Sequence, residues 1–404
     1  MRGYKSRIPN IPAPNFGIVR PVGYGEHFVY RQECKVVEVH VPADNSEGML
    51  VKGMESVRYS PTALRAFASG LFCAAGMDVE KAEAVADILV EADMLGHDTH
   101  GLELAARYLS EIEVGSMSLV GEPETISDRG AAIAWNGRRL PGPWLMQRAL
   151  ETAFARVEQH GVISLAIGNG HHIGCQAAYL QRAALRGMVL CIFSSGPGVA
   201  TVAPFGGTRA ALSPAPFAIS IPTGRDPVMI DVSASITTNN MAMRLAKEGR
   251  RFDESWLMDA EGNFTNDPTV IERGGTILPA GGRDHGQKGY SWALAAEALS
   301  QGLSGYGRAD GPKGMLNSVF LQLIAPSAFA GLHAFTHQTD AIARSCSTSP
   351  ARPGMGNVRL PGEAALRRRE AAKRDGLQLR TSTVDTLRAL ATKLDVTMPQ
   401  SLGE

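Results

Sequence analysis

Apolar residues return every three or four positions at Leu64, Phe67, Ala68, Leu71 and Ala75, a helical stripe. Ser60-Pro61 ahead of them supplies an N-cap and a first helical residue, so a helix is predicted from there. Val85, Ile88, Leu89 and Ala92 mark a second helix, which delivers the chain to Gly96-His97-Asp98-Thr99-His100-Gly101. A polar segment then runs to Arg129. Beyond it, Ala131 to Trp135 reads as a strand, Gly137 to Gly142 as a loop, and Met146, Ala149, Leu150, Ala153 and Val157 as one helix face. Next, apolar runs at 162–167 and 188–193 flank a helix-like stretch at 176–186, the pattern of a parallel β-α-β crossover. Phe217 to Ile221 and Val228 to Val232 are strand candidates joined by Pro222-Thr223-Gly224-Arg225-Asp226, favourable turn chemistry. Val384, Leu387, Ala391 and Leu394 mark a last amphipathic helix.

Composition narrows the classes. The chain has 404 residues, which predicts two domains and a large buried core. Forty Lys and Arg balance forty Asp and Glu, so the net field gives no reason to expect a nucleic-acid or anionic-membrane partner. The five cysteines have no regular spacing and no CxxC pair, which argues against a disulfide framework or a cysteine zinc site and fits a reducing cytosol. The N-terminus has no apolar stretch of signal-peptide length, and no 18-residue apolar run occurs, so a soluble, cytoplasmic protein is expected. Residues 1–53, without a helical period, read as an N-terminal extension. The charge run Arg367-Arg368-Arg369-Glu370 with Lys373-Arg374 reads as a solvated helix surface.

The familiar nucleotide and hydrolase signatures are missing. There is no GxGxxG and no GxSxG, and Gly281 to Lys288 lacks the GK[ST] ending of a phosphate loop. What remains is four segments that concentrate histidine, glycine and polar residues beside strand ends: GHDTHG at 96–101, NGHHIG at 169–174, MIDVSAS at 229–235 and GQKGY at 286–290. If the NGHHIG turn opens a helix, the backbone N–H groups from His172 to Cys175 are free to hold an anion such as pyrophosphate. The histidine pair on that turn suits proton transfer at neutral pH. Metal sets drawn from His97 with His100, or from His171, His172 and Cys175, find no support in acid or cysteine spacing, so no metal is predicted.

GHDTHG followed by Arg107-Tyr108, then NGHHIG, APFGG at 203–207, IPTG at 221–224, IDVSAS at 230–235, QKGY, FLQL at 320–323 and LPGE at 360–363 occur in order. In that order they resemble the malate/L-lactate dehydrogenase family, which includes ureidoglycolate, sulfolactate and Δ1-piperideine-2-carboxylate oxidoreductases, over residues 58–376. The resemblance implies a non-Rossmann NAD(P)-binding α/β domain over 131–363, with a mixed sheet flanked by helices. It also implies a smaller helical region built from both chain ends, 54–130 packing with 364–404. A homodimer, and hydride transfer between NAD or NADP and a small 2-oxo, 2-hydroxy or 2-imino acid, are implied with it.

By the same resemblance His172 is the proton donor and acceptor, while Thr99 and His100 face the substrate. Asp231 and Lys288 lie near the cofactor, together with the turn His172-Ile173-Gly174-Cys175, Ser195, and Pro361-Gly362-Glu363. Leu104 stands where an arginine often meets the substrate carboxylate, which predicts a pocket more apolar at one end. Pro214-Ala215-Pro216 replaces a threonine-asparagine-proline. Two rival readings remain: a catalytically impaired nucleotide-binding member of the family, and a metal-dependent enzyme.

Overall fold

The computed structural model describes residues 57–402. The N-terminal extension expected at 1–53 lies outside them. Ser60 caps the first helix, its hydroxyl accepting from the Ala63 N–H at 3.4 Å, and Pro61 opens α1 (Pro61–Ala74). Next come α2 (Val79–Leu95) and α3 (Ala105–Glu113), separated by the GHDTHG segment.

The polar segment before Arg129 contains a strand, β1 (Glu124–Asp128), four of whose five residues are exposed. It is the edge of the main sheet, so neither face is buried enough to write an apolar alternation into the sequence. Then follow β2 (Ala132–Asn136), α4 (Gly142–His160), β3 (Val162–His171), α5 (Ala177–Ala184) and β4 (Val189–Ser195). The hairpin predicted around Pro222 to Asp226 forms between β5 (Phe217–Ile221) and β6 (Val228–Val232). Helices α6 (Asn239–Lys247) and α7 (Gln287–Glu297) precede the last main strand, β7 (Leu316–Ile324), and the described chain closes with α8 (Glu363–Asp375) and α9 (Thr381–Leu394).

Seven strands form one mixed sheet in the order β1-β2-β3-β7-β4-β5-β6. Only β2 and β3 pair in parallel, joined by α4, so the adjacent β-α-β crossover is this one. The unit expected over 162–193 has its strands pointing the same way, but β7 inserts between β3 and β4 and pairs antiparallel with both. Local periodicity reports direction changes, not which strand returns from 120 or more residues away.

Two main cores result. Trp144, Met146, Leu150, Ile163, Leu165, Ile192 and Leu321 fill the space between α4 and the sheet. Leu64, Leu71, Leu89, Leu104, Leu109 and Leu387 share a second core, so helices from both ends of the described chain pack together. α2 joins the two regions by packing on both α1 and α4. Within the charge run, Arg367, Arg368 and Glu370 are exposed, while Arg369 turns inward to pair with Glu91. No helix among the described residues is long and apolar enough to cross a membrane.

Candidate active site

The chemistry gathers at the end of β3. Opposite β7, Gly170 faces Asn317 and Ile167 faces Val319, so Gly168 and Asn169 together oppose the single Ser318. Asn169 takes a φ of 53°, unusual for a residue with a side chain. This bulge re-aims the strand, and its last residue and the next one, His171 and His172, go to different environments. His171 is fully buried. Its ring meets Tyr108 edge-on at 5.4 Å between centroids, and neither ring nitrogen has a hydrogen-bond partner. Burial pushes its pKa down, so the 3.5 Å approach of Nε2 to Glu111 is a contact of a neutral ring rather than an ion pair.

His172 lines a cavity of about 510 Å³ shared with His100, Arg107, Cys175, Asp231 and Asn240. Its Nδ1 lies 2.7 Å from the Tyr108 hydroxyl and 3.2 Å from the Gly174 N–H, which leaves Nε2 as the nitrogen available for chemistry. Burial first, then the neighbouring His100, His171 and Arg107, hold His172 well below the usual histidine range. It is neutral at pH 7. The His100 ring stacks against it at 6.0 Å, with Nδ1 of His100 2.9 Å from the Thr99 hydroxyl. Asn240 fixes the same loop by donating to the Thr99 carbonyl at 3.1 Å.

Three of the four N–H groups of the backbone cradle expected at 172–175 are already taken. The His172 N–H donates to Met315 O at 3.0 Å, the Ile173 N–H to the Asn317 side chain at 3.2 Å, and the Gly174 N–H to His172. The strand runs on to His171, and α5 begins only at Ala177, whose N–H donates to Asp231 Oδ2 at 2.8 Å. The N-terminus of α5 thus already holds a protein carboxylate. Ile173, Gly174 and Cys175 still line the cavity.

The structure also places four other groups expected at the site. Leu104 is 5% exposed and sits in the core of the helical region; three residues on, Arg107 reaches the cavity instead, because α3 turns that side outward. The apolar pocket predicted from Leu104 loses its basis. Ser195 is fully buried behind the cavity, bonded to Ser300 and Gln301, and its neighbour Ser194 takes the lining position. Pro361 to Glu363 close α8 onto the sheet: the Met229 N–H donates to Pro361 O at 3.0 Å, and the Leu360 N–H to the Glu363 carboxylate at 3.1 Å. None of the three lines the cavity. Lys288 lines a separate groove of about 610 Å³, which meets the first at Val232 and Ser233. Pro214 and Pro216 do line the cavity.

The sequence reading assigned no role to Arg107, Tyr108, Gln176 or Asn317. For Tyr108 a signal existed, a phenol among the buried positions Ala105, Tyr108 and Leu109 of an otherwise polar helix. Gln176 donates to Ser194 and to Pro216 O, so its Oε1 is left without a partner. The same holds for buried Thr201 Oγ1 and Asn239 Oδ1, and all three residues line the cavity. Unpaired buried polar atoms in a concave site call for a ligand.

Over residues 59–388 the chain matches the malate/L-lactate dehydrogenase family. It belongs to that family. The L-lactate dehydrogenase of Cupriavidus necator is 32% identical over 352 residues, which cover 85% of this chain and 99% of that one. The (2R)-3-sulfolactate dehydrogenase (NADP(+)) of Chromohalobacter salexigens is 31% identical, covering 79% and 93%. A crystal structure of malate dehydrogenase from Entamoeba histolytica, 22% identical, superimposes with a TM-score of 0.81 over 86% of this chain and all of that one, which shows the same fold. This malate/L-lactate dehydrogenase family member is thus an α/β protein of a hydroxy acid dehydrogenase family.

The buried histidines predict a pH-dependent stability. His100, His171 and His172 all have folded pKa values below the unfolded value of about 6.5. Below pH 6.5 the unfolded chain takes up protons that the folded one refuses. Their contribution is therefore intact above that pH and is lost as pH falls toward the folded values, by up to about 1.4 kcal/mol per pH unit per histidine. Buried Asp93, raised above its ordinary value, works in the opposite direction. The single-residue comparison isolates the sign: H171N should show a smaller drop in urea midpoint between pH 7.5 and 5.5 (pH values about the unfolded histidine pKa). An unchanged drop would mean that His171 titrates freely.

Proposed function

We propose that the protein moves a hydride between NADH or NADPH and a small 2-oxo or 2-imino acid, with His172 as the proton donor and acceptor. The observation that carries this reading is His172 itself, tied at Nδ1, free at Nε2, neutral, and stacked on His100 in a cavity with unpaired polar atoms. Gln176, Thr201 and Asn239 would hold the cofactor, and the adjoining groove at Lys288 offers room for the rest of a dinucleotide. The bound nicotinamide supplies or accepts the hydride.

In reduction, protonated His172 gives its Nε2 proton to the substrate oxygen or nitrogen as the hydride reaches carbon. In oxidation, the neutral imidazole takes that proton from the hydroxyl. Tyr108 serves both states: with the proton on Nδ1, which gives up the Gly174 N–H contact, its hydroxyl accepts from Nδ1–H while donating to the His172 carbonyl at 3.2 Å. Because burial lowers the His172 pKa, oxidation should proceed at full rate through neutral pH, whereas reduction should gain up to about tenfold per unit as pH falls toward that pKa.

Arg107, exposed at the cavity and without a carboxylate partner among the described residues, is the group for the substrate carboxylate. R107M should lose one charge-assisted contact, raising KM for a 2-oxo acid about 10- to 100-fold while cofactor binding stays nearly constant. Steady-state kinetics check it, and an unchanged KM would move the carboxylate elsewhere. The reading as a whole is tested by fluorescence titration with NADH and NADPH, followed by a screen of 2-oxo acids by cofactor absorbance. Binding and turnover are expected; binding of neither cofactor would overturn it.

A further inference from the structure

His97, Cys175 and Asp231 are far apart in the chain and sit on three different elements, yet they meet at the cavity wall. His97 follows the C-terminus of α2, Cys175 lies on the turn between β3 and α5, and Asp231 is in β6. One imidazole nitrogen, the thiol sulfur and a carboxylate oxygen lie within 4.8 Å of one another, and Cys175 Sγ is 3.7 Å from Asp231 Oδ2. With metal–sulfur bonds of about 2.3 Å and metal–nitrogen or metal–oxygen bonds of about 2.0 Å, tetrahedral ligands stand roughly 3.3 to 3.5 Å apart. The sulfur and oxygen are nearly at that spacing, and the His97 ring, which makes no hydrogen bond among the described residues, stands within 4.8 Å of both and has only to close in.

The donor set is informative. Sulfur, nitrogen and one carboxylate oxygen suit a borderline-soft divalent ion and are wrong for magnesium or calcium, which take oxygen ligands. A thiolate and a carboxylate together balance a doubly charged ion. Asp231 is already oriented by the Ala177 N–H, the kind of outer support that ligating carboxylates have.

We infer that His97, Cys175 and Asp231 form a zinc site with three protein ligands and an open fourth position toward the cavity. Binding releases the thiol proton of Cys175 to solvent as the sulfur–zinc bond forms, with no change of oxidation state. The ion ties the loop after α2 to β6 and occupies space beside His100, so zinc inhibits the enzyme. The binding part stands apart from the dehydrogenase reading; the inhibition rests on it.

Cobalt(II), a spectroscopic stand-in for zinc, is titrated into the full-length protein, and zinc is titrated by calorimetry in two buffers of different ionisation enthalpy. One equivalent is expected to bind, with a thiolate-to-cobalt charge-transfer band, tetrahedral visible bands and release of about one proton per ion. C175S should lose the charge-transfer band. H97A should weaken binding by more than the roughly 10- to 100-fold that loss of a merely supporting residue costs. Circular dichroism confirms that each variant is folded, and H97N replaces H97A if it is not. Absence of the band in the wild type, its persistence in C175S, or undiminished affinity in both His97 variants would overturn the site. With the site filled, zinc should suppress 2-oxo acid reduction and a chelator should restore it; full turnover by the zinc-loaded enzyme would overturn the inhibition alone.

Discussion

H172Q is expected to keep the fold and much of the cofactor affinity while losing at least about 100-fold in turnover. Glutamine retains a polar side chain of similar reach, but it cannot deliver or take a proton at the substrate oxygen. The loss should appear in kcat and in kcat/KM alike, because the interaction removed exists only in the transition state. The pH dependence of reduction should flatten in the same variant, since the titrating group is gone. Turnover near that of the parent would transfer the acid–base role to His100, whose ring lies stacked 6.0 Å away.

The second large effect is expected at Gly142, the first residue of α4. A Cβ built there would lie 2.3 Å from the His171 carbonyl oxygen and 2.4 Å from that of His172. Both neighbours are backbone, so no flexible side chain can move aside. G142A must therefore push the strand end away from the helix, at a cost of about 1–3 kcal/mol, and shift His172 with it. A displacement of about 1 Å at a catalytic group can cost about 100-fold in rate, so turnover and thermal midpoint should fall together. G302A is the control, because its added methyl meets nothing within 4 Å. A G142A variant as stable and active as the parent would mean that the helix can withdraw without disturbing the histidines.

Individual elements are legible in the sequence where the signal is contiguous. The cap at Ser60, the stripe through Leu71, the face of α4 and the β5–β6 hairpin each depend on neighbours within about a dozen residues, and each formed where the pattern put it. The ordered motifs placed the chain in its family for a similar reason, since each is a short run read directly. Strand β1 left no signal because its two faces are both largely exposed.

Site residues are less legible, because their surroundings come from distant parts of the chain. Leu104 looked like a pocket residue by position, but three residues of helix separate the core-facing side from the cavity-facing one, and only packing says which is which. The N–H groups of His172 and Ile173 gave no sign of being taken, because their acceptors, Met315 and Asn317, lie more than 140 residues downstream. Tyr108 acts on His172 across 64 residues.

What the sequence by itself determined is therefore the elements with a contiguous pattern, the family and the presence of His172 on a turn after a strand. Only the tertiary structure decided that β7 separates β3 from β4, that Asp231 fills the N-terminus of α5, that Arg107 faces the cavity in place of Leu104, and that His97, Cys175 and Asp231 come within 4.8 Å of one another. Periodicity is written into adjacent residues by the geometry of one helix or strand, whereas the partner of a polar atom is chosen by whichever distant segment the folded chain brings within 3 Å or so.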